Sequence, residues 1–236
     1  MCSRYFLDAD GNIIAYTFRV PTAEGVRKRY NIAPTQEAPV VRLAREDAQA
    51  SAGERARELA MLRWGLVPSW AKDISVGNRM INARAESAAE KPAFRQALEK
   101  RRCIVPATGF FEWQGAPGHK QPYAITFPDV PLFGFAGLWE RWKAEDGKRV
   151  ETFAIVTTDA NEAVATIHDR MPVILTPAQA DLWLGEDVAA ARGLLEPYKG
   201  VTTMRAVTRR MSDPRAEGPE CLADADTMPG SQSSLF

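Results

Sequence analysis

Histidine is nearly missing from this chain. Only His119 and His168 occur, and there is no His-x-x-x-His or Cys-x-x-Cys pair, which argues against a structural zinc site. No cofactor is expected. Net charge is lacking too, because 30 basic residues balance 30 acidic ones. A polyanion would meet no attractive monopole, so nucleic-acid binding requires a local basic patch. No apolar run approaches the ~20 residues that a membrane helix needs. The start, Met1-Cys2-Ser3-Arg4-Tyr5-Phe6, lacks the apolar stretch of a signal peptide. Cysteine is scarce, with Cys2, Cys103 and Cys221 forming an odd count without repeated spacing. That fits reduced thiols in a reducing compartment, and we expect a cytoplasmic protein with no membrane contact.

What remains is ordinary globular material, 45% hydrophobic and 25% charged over 236 residues. The length suits one large domain, or one domain plus a tail. No internal repeat is visible. Residues 44–58 are polar and read as a surface loop or short helix. Strands are expected around Leu59–Gly65, Cys103–Ala107, Phe110–Trp113, Tyr123–Phe127, Leu132–Trp139, Thr152–Thr157 and Val173–Leu175, many bounded by Gly or Pro. Helices are expected at Ala83–Ala89, Pro92–Lys100, Asn161–Ile167, Pro177–Leu184 and Val188–Glu196, with Pro92 and Pro177 at helix starts. The strands do not alternate regularly with long helices. The pattern therefore predicts an α+β fold with a largely antiparallel, barrel-like β core and peripheral helices. Beyond Ser212 the composition turns to Pro, Gly, Ser, Asp and Glu. We expect a folded domain over residues 1–212 and a flexible tail over 213–236.

The chemistry starts at Cys2, although position alone favours a chance cysteine near a frayed terminus. Cysteine is small enough for removal of Met1 to be expected, and removal leaves a 1,2-aminothiol found nowhere else in a chain. Internal cysteines have amide nitrogens whose lone pairs are delocalised. A free α-amine titrates near 7.7–8.0, so an appreciable fraction is neutral and nucleophilic around pH 7. It can condense with an aldehyde to a Schiff base, as lysine does elsewhere. The adjacent thiol can then close a five-membered thiazolidine.

Five further segments stand out: Tyr30-Asn31-Ile32-Ala33-Pro34-Thr35; Arg63-Trp64-Gly65-Leu66-Val67-Pro68-Ser69-Trp70; Ile81-Asn82-Ala83-Arg84-Ala85-Glu86-Ser87; Cys103-Ile104-Val105-Pro106-Ala107-Thr108-Gly109-Phe110-Phe111-Glu112-Trp113; and Ile167-His168-Asp169-Arg170-Met171-Pro172. In this order, together with Met1-Cys2, they resemble the SRAP family, abasic-site processing proteins first described as SOS-response-associated peptidases. The resemblance runs from Met1 to about Met211. It implies a β-rich core, a groove for single-stranded DNA, a thiazolidine between the N-terminal cysteine and the ring-opened sugar of an abasic site, and release of the initiator methionine by the protein itself. Cys2 then corresponds to the nucleophile. Asn82 and Arg84 correspond to residues that hold the abasic site, Glu112 to the catalytic carboxylate, and His168 to the histidine acting on the opened sugar. Arg4, Trp70, Thr157 and Arg170 match positions expected to contact DNA. The family usually begins Met-Cys-Gly-Arg, whereas this chain has Ser3, and glycine opens backbone angles closed to serine.

Residue chemistry agrees with these roles without demanding them. Strand alternation alone makes Glu112 solvent-facing, whereas flanking aromatics would raise its pKa toward that of a general acid. His168 titrates near neutrality, although a lone histidine is more often a hydrogen-bonded structural residue. Arg84, Arg4 and Arg170 suit phosphate, and Trp70 suits base stacking. Trp64, Trp139, Trp142 and Trp183 read as core or domain-edge residues. The resulting expectation is a monomer that crosslinks to abasic sites in single-stranded DNA, nucleoid-associated when bound, with weak lyase activity feasible through the imine. The rivals are an N-terminal-nucleophile amidohydrolase and a single-stranded DNA-binding module without chemistry.

Overall fold

The computed structural model describes residues 2–44, 56–116 and 118–225. In chain order come β1 (Tyr5–Leu7), α1 (Gly11–Phe18), β2 (Arg29–Ile32), β3 (Glu37–Leu43), β4 (Arg57–Trp64), β5 (Asn82–Arg84), α2 (Ala85–Ala88) and α3 (Pro92–Lys100). Then follow β6 (Arg102–Ala107), β7 (Gly109–Gln114), β8 (Gln121–Thr126), β9 (Phe133–Lys143), β10 (Arg149–Asp159) and α4 (Glu162–Ala165). Last are β11 (Arg170–Pro172), β12 (Ile174–Leu175), α5 (Ala180–Leu184), α6 (Val188–Arg192) and β13 (Thr203–Ala206). Among these residues no helix is long and apolar enough to cross a membrane.

Five strands close a ring, β10–β4–β3–β6–β9 and back to β10. All of its pairings are antiparallel except the short parallel seam between β4 and β10, where Thr152 lies opposite Arg63 and Phe153 opposite Trp64. The architecture is the α+β, barrel-cored fold expected. A second, fully antiparallel sheet, β13-β8-β7-β1-β2, packs against the barrel. Successive side chains of a strand face opposite ways. On β7, Phe110 joins the main core, where it meets Phe127 and Phe135, while Phe111 faces outward onto Phe6. Tyr5 of β1 lies edge-on to Trp64 and Phe135 at 5.4 and 5.5 Å. The core between the two sheets is thus largely aromatic, and each such ring, fully buried, contributes about 1.5–3 kcal/mol.

Two expectations need correction. The segment 83–89 is not one helix: residues 82–84 form β5, pairing in parallel with Ile155–Thr157 of β10, and only Ala85–Ala88 is helical. Sheet pairing overrides a local Ala-rich helix preference. The tail does not begin at 213. Residues 213–225 return over the outer face of the second sheet. Cys221 buries there with Val207 and Met211 against Phe6 and Phe111. Asn31 Nδ2 donates to the carbonyls of Met211, Asp213 and Ala216 at 2.9–3.0 Å, and Arg29 pairs with Glu217 at 2.8 Å. Composition misleads because a few apolar residues and many backbone acceptors suffice to seat a polar strap. Residues 226–236 lie outside the described residues. So do 45–55 of the polar stretch, of which Arg57 and Glu58 belong to β4.

Candidate functional site

The chain start is tied down by sheet pairing. Tyr5 of β1 lies opposite both Ile32 and Phe110, and the Arg4 carbonyl accepts from Phe111 N–H at 3.0 Å. Cys2 is thereby carried into the main core, with 0% of its surface exposed. Its carbonyl accepts from Asn82 Nδ2 at 2.8 Å, and its thiol points to the Arg4 carbonyl at 3.7 Å. Burial, reinforced by the negative field of Glu112, pushes the Cys2 thiol well above its ordinary value. The sulfur is held as a neutral thiol, not a thiolate.

Asn82 is positioned by the strand pairing of β5. The carbonyl of Ile81, just before it, accepts from Trp64 Nε1 at 2.9 Å and from Ile155 N–H at 3.0 Å. The Asn82 Oδ1 is buried without a hydrogen-bond partner, an acceptor awaiting a donor. Two residues on, Arg84 is exposed and, among the described residues, makes no side-chain ion pair or hydrogen bond.

Glu112 follows Phe110 by two on β7 and therefore shares its inward face. It is 3% exposed, so the solvent-facing alternative from strand alternation does not hold: the strand has both faces covered. Burial pushes its carboxyl up to about 7, against the lowering fields of the amino terminus and Lys120. The group sits at half-protonation near neutral pH.

His168 lies in the turn after α4. Asn161 caps that helix, and Gln114 of β7 donates to the Thr166 carbonyl at 3.3 Å, tying the turn to the strand of Glu112. Burial and then the amino-terminal charge hold the imidazole below its usual value. Its Nδ1 accepts from Arg170 N–H at 3.0 Å and also lies 3.1 Å from Asp169. The two contacts ask for opposite states of Nδ1. The backbone donor decides, because Asp169 is 88% exposed and its field is screened. The ring is neutral with its proton on Nε2.

The structure therefore brings Cys2, Asn82, Glu112 and His168 to one place, with Arg84 at the rim. Trp70 is 64% exposed on the loop after β4, available to a stacking partner. Of the remaining expected DNA contacts, Arg4 and Arg170 are otherwise engaged. Arg4 donates to the carbonyls of Met211 and Ser212 and to Asn31 Oδ1. Arg170 grips both oxygens of Glu86 at 2.8 and 2.9 Å, Asp159 at 2.6 Å and the Thr157 carbonyl at 2.8 Å. Two carboxylates offset its charge, so it braces β10 against α2 instead of standing free for phosphate. Thr157 is buried, its hydroxyl unpartnered.

The profile of the SOS response associated peptidase (SRAP) family matches residues 1–214. The chain belongs to the SRAP family. A relative, the abasic site processing protein YoqW of Bacillus subtilis (strain 168), is 38% identical over 232 residues, covering 94% of this chain and 99% of the relative. The abasic site processing protein HMCES of Mus musculus is 32% identical over 84% of this chain and 65% of that longer protein. A crystal structure of a protein from Bacteroides thetaiotaomicron superposes with a TM-score of 0.80 at 28% identity, covering 95% of this chain and all of the other.

The SRAP start normally carries glycine where this chain has Ser3. Among the described residues only Arg19 and Thr35 are non-glycine positions with positive φ. Ser3 is not one of them, so serine fits this backbone without strain. Sequence reasoning missed Lys120, whose charge acts on Glu112 and His168, and Glu86, which anchors Arg170. Neither lies in a pattern that marks it. Lys120 follows a turn, and Glu86 resembles any acid in a helical first turn.

Proposed function

We propose that this chain senses abasic sites in single-stranded DNA and bonds to them covalently through Cys2 once Met1 has been removed. The observation that carries the proposal is the convergence of Cys2, Asn82, a half-protonated Glu112 and a neutral His168 beside an exposed, unpaired Arg84. The names of the relatives support the same substrate.

The Cys2 amine adds to the aldehyde of the ring-opened sugar to give a carbinolamine. Protonated Glu112 gives its proton to the hydroxyl, which leaves as water, and the resulting iminium returns its nitrogen-borne proton to the Glu112 carboxylate, leaving an imine. The Cys2 sulfur then adds to the imine carbon while the thiol proton passes to nitrogen, closing the thiazolidine. A neutral thiol suits this order, because the amine and not the sulfur makes the first bond. Asn82 holds the Cys2 carbonyl and presents Oδ1 to the amine or the sugar. His168 Nε2–H donates to the sugar oxygens. Arg84 takes a phosphate, and Trp70 stacks on a base, worth about 1–3 kcal/mol. The imine also permits β-elimination, the basis of a weak lyase activity. Met1 leaves by the chain's own action or by an aminopeptidase.

An uncleavable N-terminal tag tests the order of events, since it converts the Cys2 amine to an amide and leaves the thiol in place. We expect no denaturation-resistant adduct with abasic oligonucleotide, near-normal affinity for intact single strands, and recovery after a protease exposes Cys2. An adduct at Cys2 with the tag still attached would overturn the amine-first mechanism.

A further inference from the structure

A second basic concavity lies at the far end of β10. It has a volume of about 600 Å³ and is walled by Thr35, Met61, Arg63, Ile74, Lys148 and Arg149, with Glu37, Arg141 and Glu151 beside them. Its charges are unequally matched. The Glu151 carboxylate takes Arg42 at 2.9 Å and Arg141 at 3.2 Å, so that acid and Arg141 are mutually satisfied. Arg63 reaches only a neutral partner, Asn78 Oδ1 at 2.9 Å, and its Nη1 is buried without a hydrogen bond. Burial lowers its pKa, and no carboxylate raises it. Lys148 and Arg149 are exposed and carry no ion pair among the described residues, which leaves Glu37 as the one described acid of the wall opposing three cations. Met61, 50% exposed, adds an apolar wall. Thr35 contributes a backbone oddity: a β-branched residue at φ 72°, held by its N–H on the Trp64 carbonyl at 2.8 Å. Such a residue in the left-handed region is strained, and strain of this kind clusters at ligand sites.

The concavity is linked to the site around Cys2 through the chain. One loop, residues 65–81, joins them: it carries Trp70 and Ile74 and ends at Asn82. The Ala71 carbonyl, next to Trp70, accepts from Trp142 Nε1 at 2.6 Å, and Trp142 lies opposite Val150, another wall residue. From Thr157, opposite Arg84, to Arg149 is eight positions along β10, or about 26 Å at 3.3 Å per residue. A stacked strand covers that in about eight nucleotides at 3.4 Å each.

We infer that this concavity is a second DNA subsite, binding two or three adjacent phosphodiesters and a base several nucleotides away from the abasic position. The inference rests on the proposed function and extends the DNA footprint of the same site. It predicts an affinity that depends on strand length and a salt dependence carried partly by residues remote from the chemistry.

The variant Lys148→Ala/Arg149→Ala tests it, both side chains being exposed on a hairpin and outside the catalytic cluster. Binding is measured against salt with intact and abasic single strands of two lengths, about two and about ten nucleotides on each side of the central position. On the long strand the slope of log K against log salt should fall by about 1.4, at 0.7 for each lost phosphate contact. On the short strand neither the slope nor the adduct yield should change. Lys148→Glu/Arg149→Glu should weaken the long strand further, and Arg63→Gln should lower the same slope by about 0.7. A wild-type slope on the long strand would overturn the inference, as would equal losses on both lengths. If wild-type protein gives no adduct with either abasic strand, the proposed reaction fails. The length dependence on intact strands still decides the subsite.

Discussion

Glu112→Gln separates chemistry from stability, because the structure assigns the carboxyl opposite effects on the two. Burial moves it from 4.5 to about 7. Crosslinking by the proposed route needs the acid form of Glu112 together with a neutral Cys2 amine, a group that ordinarily titrates at about 7.7–8.0. The two requirements oppose each other, so the rate passes through a maximum and falls on both limbs. Glutamine keeps the shape and removes the proton. Single-turnover adduct formation should slow by ~10²–10⁴-fold, and the alkaline limb should vanish, leaving a rate that rises with pH and levels off above the amine's value. Stability should move the other way. An acid raised in the folded state binds more protons folded than unfolded between 4.5 and about 7, so stability falls as pH rises through that window and stays lowered above it. At 1.36 kcal/mol per pH unit the penalty at pH 8 is about 3 kcal/mol, and Glu112→Gln should remove most of it. Rate–pH profiles and denaturant melts at pH 5 and pH 8 read both effects. A descending alkaline limb that persists in the variant would refute the assignment of Glu112 as the acid. A variant no more stable than wild type at pH 8 would refute the buried-charge argument.

Cys2→Ala should lose the heat-stable adduct while keeping affinity for intact strands; intact-mass analysis with abasic oligonucleotide checks this. Arg84→Ala should weaken binding and reduce its salt slope by about 0.7, read by titration at several ionic strengths. Asn82→Ala should lower adduct yield more than it lowers affinity for intact strands, because its Nδ2 grips the nucleophile's own carbonyl. Ending the chain after Ser212 should destabilise the fold at all pH values, because it uncovers Phe6 and Phe111 and leaves Asn31 without two of its acceptors; a lowered melting temperature is the readout.

Most of the barrel was legible because its strands are apolar, β-branched or aromatic and bounded by Gly or Pro, as in Cys103–Ala107 and Thr152–Thr157. What escaped depends on contacts distant in sequence. Residues 83 and 84 read as the start of a helix, and only pairing with β10, some seventy positions on, makes residues 82–84 a strand. Helix α1 escaped because its signal is a single capping aspartate, Asp10, over residues with little helical periodicity. The site showed a similar division. Cys2 takes its role from the motifs that accompany it, because position alone favours a chance cysteine near a frayed terminus. Glu112 needed the second face of its strand to be covered before burial could be inferred. Arg170 looked like a free cation because the two acids that hold it, Glu86 and Asp159, are 84 and 11 positions away.

The pinning of the chain start bears on how fast the aldehyde is captured. Chain ends ordinarily fray, and a nucleophile on a frayed end must be immobilised as the bond forms, at about 1–2 kcal/mol per residue of backbone freedom. Here sheet pairing at Tyr5, the Arg4 carbonyl and the Asn82 grip on Cys2 already hold residues 2–5 in the absence of DNA. That conformational entropy is lost when the protein folds and does not appear again in the activation barrier. For Cys2, Ser3 and Arg4 together this is worth about 3–6 kcal/mol, or two to four orders of magnitude in effective concentration of the amine at the sugar.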